Sequence, residues 1–134
     1  AVLDAKTATR TGHVTAMHDP TEGGVATGLY ELAAAADVGL EINGDALLLR
    51  DETRQLCAEY GLDPFGIVSS GAMLIGCAPS STAAILDALA QAGIAATQIG
   101  RAREKNFGLH ISHQGKSSAL PYFASDELTR LCAD

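Results

Sequence analysis

The residues whose types and spacing can do chemistry are concentrated in His18-Asp19-Pro20-Thr21-Glu22-Gly23-Gly24. A short strand-like stretch, His13–Met17, ends there, and an Ala-rich segment begins just after it. Glycines remove side chains, so a ligand can approach the backbone. The first turn of a helix offers unpaired N–H groups and a partial positive charge. Together these features make an anion site. Asp19 can hold a metal, act as a base or cap the helix. Thr21 can donate its hydroxyl to a phosphate or cap the helix. The spacing is neither a P-loop nor a dinucleotide fingerprint, because no lysine follows the glycines and neither pattern is complete. Glu22 places negative charge where a phosphate would arrive. The segment therefore reads in two ways: a ligand-binding loop, or a tight strand-to-helix turn capped by Asp19 or Thr21.

A second candidate is Ser69-Ser70-Gly71, with Val68 before it. Two hydroxyls and a glycine at the start of a strand can line a cleft, or simply make a turn. The four histidines (His13, His18, His110 and His113) are scattered, and no metal site is expected. The three cysteines (Cys57, Cys77 and Cys132) form no CxxC pair and no zinc spacing. They read as reduced thiols of a cytoplasmic protein, with Cys57 and Cys77 as small core residues. No nucleophile sits on a recognisable elbow.

Hydrophobic periodicity supplies the elements that must position these residues. Val25, Leu29, Leu32 and Ala36 fall on one helical face, and Val38, Leu40 and Ile42 alternate as a half-buried strand. Asp51 is expected to cap a helix over 52–60, closed by Gly61. Ala72–Ala78 is a continuous apolar run, which suits a central strand covered on both faces. Pro79-Ser80-Ser81 opens a helix to Ala92, and Ile94–Ile99 reads as a strand. Phe107, Leu109 and Ile111 alternate as another strand, with His110 pointing out. Gln114–Leu120 reads as a polar linker, and Ser125 as the cap of a last helix over 126–132. Residues 1–12 read as a polar lead-in or frayed helix. This order predicts an α+β or α/β sandwich with helices packed on one mixed sheet.

The chain of 134 residues is 47% hydrophobic and 19% charged, which fits one globular domain over residues 1–134. Aromatic residues make up 4% and Trp is absent, so the core must be aliphatic. The net charge of −7, without a lysine/arginine stripe, argues against nucleic-acid binding and against adhesion to anionic membranes. The cluster Arg101-Ala102-Arg103-Glu104-Lys105 reads as a solvated loop rather than a basic patch. No apolar run approaches the ~20 residues of a membrane span, and no signal peptide is visible. The start at Ala1 implies processing or a piece cut from a longer protein.

Ala16–Leu29 resembles the MxDPTxGG(L/V)A segment of the AIR synthase-related superfamily. Three further segments agree in order: Glu31–Ala33 leading to Gly39–Ile42, Gly61–Phe65, and Ser69–Ile75. The nearest likeness is to the hydrogenase expression/formation branch. It spans about residues 14–134 and covers the C-terminal half of such proteins. The resemblance implies a layered α/β/α sandwich with a mixed sheet, partly ferredoxin-like. It places Asp19, Thr21, Gly23 and Gly24 in a loop facing an interdomain cleft, with Ser69, Ser70 and Gly71 lining that cleft.

It further implies an N-terminal ATP-binding domain that supplies most ATP and Mg2+ ligands and the main dimer interface. No cofactor is then expected tightly bound to this chain and no turnover from these residues alone, and an apolar sheet face or cleft wall left exposed by the absent half predicts a homodimer. Hydrogenase maturation is the implied setting. Two positions depart from the branch: Glu22 stands where a basic residue is usual, and Cys132 is followed by Ala133 and Asp134. The alternative is a non-enzymatic regulatory or assembly module of ferredoxin-like type.

Overall fold

A computed structural model describes residues 1–132. The helices are α1 (Val2–Thr11), α2 (Gly24–Ala36), α3 (Asp51–Tyr60) and α4 (Thr82–Gln91). The strands are β1 (Val14–His18), β2 (Gly39–Asn43), β3 (Leu74–Cys77), β4 (Gly100–Arg103), β5 (Leu109–His113) and β6 (Lys116–Ala119). Short 3-10 turns stand at Gly44–Ala46, Pro64–Gly66, Pro79–Ser81, Lys105–Phe107 and Glu127–Leu131.

The α+β class and the mixed sheet hold, but the strands divide between two sheets rather than one. β1 and β3 form an antiparallel pair. The other four lie in the order β4-β2-β5-β6, with β2 and β5 parallel and the remaining pairs antiparallel. The reason is visible in the core. Ala8 of α1 and Ile85 and Leu89 of α4 pack on Val14, Met17, Ile75 and Cys77, on one side of the small sheet. Its other side meets α2, where Val25, Ala26, Leu29 and Ala33 join Leu74. The same helix then packs on Leu40, Ile42 and Ile111 of the four-stranded sheet. Helix α2 thus lies between two sheets, and its apolar surface is wider than a single stripe. The α/β/α layering is met around the small sheet. The four-stranded sheet leaves its outer face in solvent, with Glu41, Arg101, Arg103 and His110 exposed.

Several local expectations change. The lead-in is a formed helix, α1, anchored by fully buried Ala8. Ala72–Ala78 is not a central strand: β3 pairs only with β1. Ile94–Ile99 is not a strand. Ile94 closes α4 through its N–H to the Leu89 carbonyl (2.9 Å) and packs on the α1–α4 cluster. Gln114–Leu120 contains β6 instead of a linker. Asp51 is the first residue of α3, and Arg50 occupies the cap position without a side-chain bond. Asp126, not Ser125, caps the last turn, accepting from Leu128 N (3.0 Å). Arg101–Lys105 includes edge strand β4, where Arg103 pairs with Glu41 (3.3 Å). No helix among the described residues is long and apolar enough to cross a membrane.

Candidate functional site

Strand β1 delivers His18 to the corner, and the chain turns at Asp19 and fully buried Pro20. Gly28 of α2 makes that turn possible. A Cβ there would sit 2.8 Å from Pro20 Cβ, too close for either to stay in place. His18 Nε2 meets Glu31 Oε2 at 2.6 Å, tying the strand end to α2. Thr21 and Glu22 then run exposed before Gly23 and Gly24 start the helix.

The two glycines have left-handed backbones, with φ of 74° and 68°. They are buried, and their lack of side chains serves the chain's own packing. A Cβ on Gly24 would lie 2.5 Å from both the Phe65 and Ile67 carbonyl oxygens. A Cβ on Gly23 would run into the Thr27 side chain, whose Oγ1 is buried without a partner among the described residues. Neither Asp19 nor Thr21 caps α2 by side chain. Gly24 N donates to the Thr21 carbonyl (3.1 Å). Gly23 N donates to Asp126 Oδ2 at 2.9 Å, a carboxylate from 103 residues away. The positive end of α2 is thus met by an anion of the same chain.

The second candidate segment comes to the same place. Ser69 N donates to the Thr21 carbonyl at 3.1 Å, so the loops are hydrogen-bonded neighbours. Ser69 spends its hydroxyl on the Ile67 carbonyl (3.0 Å). Ser70 and Gly71 are exposed, as are Asp19 and Thr21. The joined loops therefore expose two carboxylates (Asp19 and Glu22), two hydroxyls (Thr21 and Ser70) and an open glycine (Gly71), while Gly23, Gly24 and Ser69 hold this edge together from within.

Asp63, Glu127 and Arg130 of the surrounding frame were not singled out as site residues from the sequence. Asp63 Oδ1 accepts from Phe65 N (2.9 Å) and so shapes the Leu62–Gly66 turn. Asp63 N donates to Glu127 Oε2 (3.0 Å), and Arg130 Nη1 reaches Glu127 (2.7 Å) and the Gly61 carbonyl (3.2 Å). The Asp63 N–H and the Arg130 guanidinium together hold the Glu127 carboxyl below its ordinary value. Burial, with the Asp63 and Glu127 carboxylates nearby, pushes the Cys57 thiol up. Asp126 alone carried a signal, since Asp is a good cap residue, but nothing in the sequence pointed it at Gly23.

The remaining histidines lie elsewhere: His113 pairs with Asp45 (2.8 Å), His110 stands on the open sheet face, and His13 is exposed just before β1. No group of three His, Cys, Asp or Glu side chains among the described residues is placed to hold a metal ion. Cys132 is exposed and free, and Ala133 and Asp134 lie outside the described residues.

The site is a strand–Asp-Pro-Thr-x-Gly-Gly–helix corner on an α+β domain. The sequence matches the family described as AIR synthase related protein, C-terminal domain, over residues 1–112, and the chain belongs to that family. It is 30% identical over 124 residues to carbamoyl dehydratase HypE of Rhizobium leguminosarum bv. viciae, covering 90% of this chain and 35% of that protein. The crystal structure of E. coli HypE, a hydrogenase maturation protein, aligns with a TM-score of 0.83 at 28% identity, over 97% of this chain and 42% of that one. A structure of HypE in complex with ATP shares the fold, with a TM-score of 0.76 at 24% identity over 86% of this chain and 37% of that one. The chain thus spans about a third of the length of the curated relatives it matches.

Proposed function

We propose that this chain is the C-terminal domain of an ATP-dependent enzyme and supplies one wall of the cleft in which nucleotide and substrate meet. The observation that carries this is the hydrogen bond from Ser69 N–H to the Thr21 carbonyl (3.1 Å), which joins the loop of exposed Asp19 and Thr21 to that of exposed Ser70 and Gly71. The relatives' name, carbamoyl dehydratase, supports a carboxamide as the substrate class and hydrogenase maturation as the setting. ATP would supply the phosphoryl group that turns a carboxamide oxygen into a leaving group. An N-terminal ATP-binding domain, a homodimer and a cytoplasmic location belong to the same proposal.

The residues present fit this role in part. Asp19 can take a water of a Mg2+ ion, and the Thr21 and Ser70 hydroxyls can donate to phosphate oxygens. The Gly23 amide is already engaged by Asp126, and Glu22 repels an anion. This wall therefore positions and closes, while the tight phosphate cradle belongs to the other half of the cleft. Catalysis from this side is a matter of placing groups and of fixed charge.

The engaged Gly23 amide favours a second reading, in which the corner is purely structural and the domain is a regulatory or assembly module. Asp19→Ala and Thr21→Ala separate the two in the longer protein that carries this chain. The enzyme reading expects each to lower ATP-dependent turnover about tenfold or more, with Arg101→Ala on the open sheet face as an unaffected control. Unchanged turnover in both variants leaves the module reading standing.

A further inference from the structure

We propose that residues 125–131 form a strap whose carboxylates, Asp126 and Glu127, are positioning residues for the exposed edge. This rests on the cleft-wall function proposed above. The strap touches both loops that build the edge. Through Asp126 Oδ2 it takes the Gly23 N–H (2.9 Å), two residues from Thr21. Through Glu127 Oε2 it takes the Asp63 N–H (3.0 Å), at the start of the segment that leads to Ser69 and Gly71. Leu128 packs on the cluster of Cys57, Leu62 and Ile67, and Arg130 holds the Gly61 carbonyl (3.2 Å).

The two bonds act on one arrangement. The Gly23 amide fixes the peptide plane that follows Glu22. The Asp63 amide fixes the turn whose Phe65 and Ile67 carbonyls lie against Gly24. Both acceptors are carboxylates on backbone N–H groups, the stronger kind of hydrogen bond. Asp126 also starts its own turn through Leu128 N (3.0 Å), so the strap cannot shift as a rigid turn without letting Gly23 go. Asp126 and Glu127 act on the edge through Gly23 and Asp63. They touch neither nucleotide nor substrate.

The test uses Asp126→Ala, which removes the acceptor, and Asp126→Asn, which keeps a carbonyl oxygen in its place. In the 134-residue chain, amide exchange at Gly23 is expected to speed up tenfold or more in Asp126→Ala. Core amides such as Leu29 and Ile42 should stay protected, and Asp126→Asn should recover most of the effect. In the longer protein, Asp126→Ala should lower kcat for ATP-dependent turnover about tenfold with KM for ATP little changed, and Asp126→Asn should restore it. Unchanged exchange at Gly23 overturns the strap. Faster exchange with unchanged kcat, in a protein where Asp19→Ala does lower turnover, makes the strap merely structural and overturns its positioning role alone. If Asp19→Ala and Thr21→Ala also leave turnover unchanged, the cleft wall itself fails and the positioning role falls with it.

Discussion

Gly24 and Gly71 both have left-handed backbones at the same corner, yet their surroundings differ completely. Gly24 faces two carbonyl oxygens at 2.5 Å from any added Cβ, and backbone cannot move aside cheaply. Gly71 has nothing within 4 Å of that position. Gly24→Ala should therefore cost roughly 2–4 kcal/mol, combining the left-handed penalty with overpacking. Gly71→Ala should cost only the left-handed penalty, about 1 kcal/mol. Urea unfolding of the two variants checks this, and equal losses would contradict the packing account. A Gly24 variant consequently reports on folding, while exposed Asp19 and Thr21 report on function.

Glu127 gives a pH dependence with a definite sign. Its carboxyl is held below the ordinary value by the Asp63 N–H and by Arg130. Its contribution is thus fully present above the unfolded-state pKa and is lost as pH falls through the folded one. Urea midpoints measured from pH 6 to pH 3 should fall less steeply in Glu127→Gln than in the parent chain. Parallel curves would show that the clasp is not titrating.

At the level of elements, the β5–β6 hairpin carries the clearest prediction. Its two-residue turn, Gln114-Gly115, has φ of 50° and 76°, the type I′ geometry that favours Asn-Gly. Gln114 is held in this strained region by its N–H to the Asp45 carboxylate (3.1 Å). Gln114→Asn keeps that amide and relieves the backbone, so it should stabilise the domain by about 0.5–1 kcal/mol. A melting temperature that stays constant or falls would refute this.

The same hairpin marks the limit of what the sequence discloses. Val25, Leu29, Leu40 and Ile42 announced α2 and β2 because each element buries a periodic face. Lys116-Ser117-Ser118-Ala119 buries none, lies on a sheet edge and so has no period to read. Ile94 and Ile99 suggested a strand because hydrophobicity does not say which core it serves. Ile94 serves the α1–α4 cluster and Ile99 the α2 core. Both loops of the candidate site were legible from turn residues and glycines. Their adjacency, and the arrival of Asp126 at Gly23, depend on contacts across 48 and 103 residues that no local pattern encodes.

For the molecule as a whole, the cleft-wall proposal makes a quantitative demand on the isolated chain. Its exposed edge offers two carboxylates and two hydroxyls, with the helix terminus behind it closed by Asp126 and the net charge negative. Such an edge cannot concentrate a nucleotide by itself, because Glu22 and Asp19 repel phosphate oxygens beside the Thr21 and Ser70 donors. On the cleft-wall proposal, nucleotide binding comes from the facing wall. The 134-residue chain should therefore show no ATP hydrolysis above background and no saturable ATP binding at millimolar nucleotide in calorimetry. The longer protein should bind and turn over ATP. Val2 (70%), Leu3 (57%) and Tyr122 (72%) are among the large apolar side chains left exposed. Light scattering at micromolar concentration should give a dimer, and a clean monomer would remove that expectation. Enzyme-like hydrolysis by the short chain would place the cradle on this side after all and reverse the division of labour between the two walls.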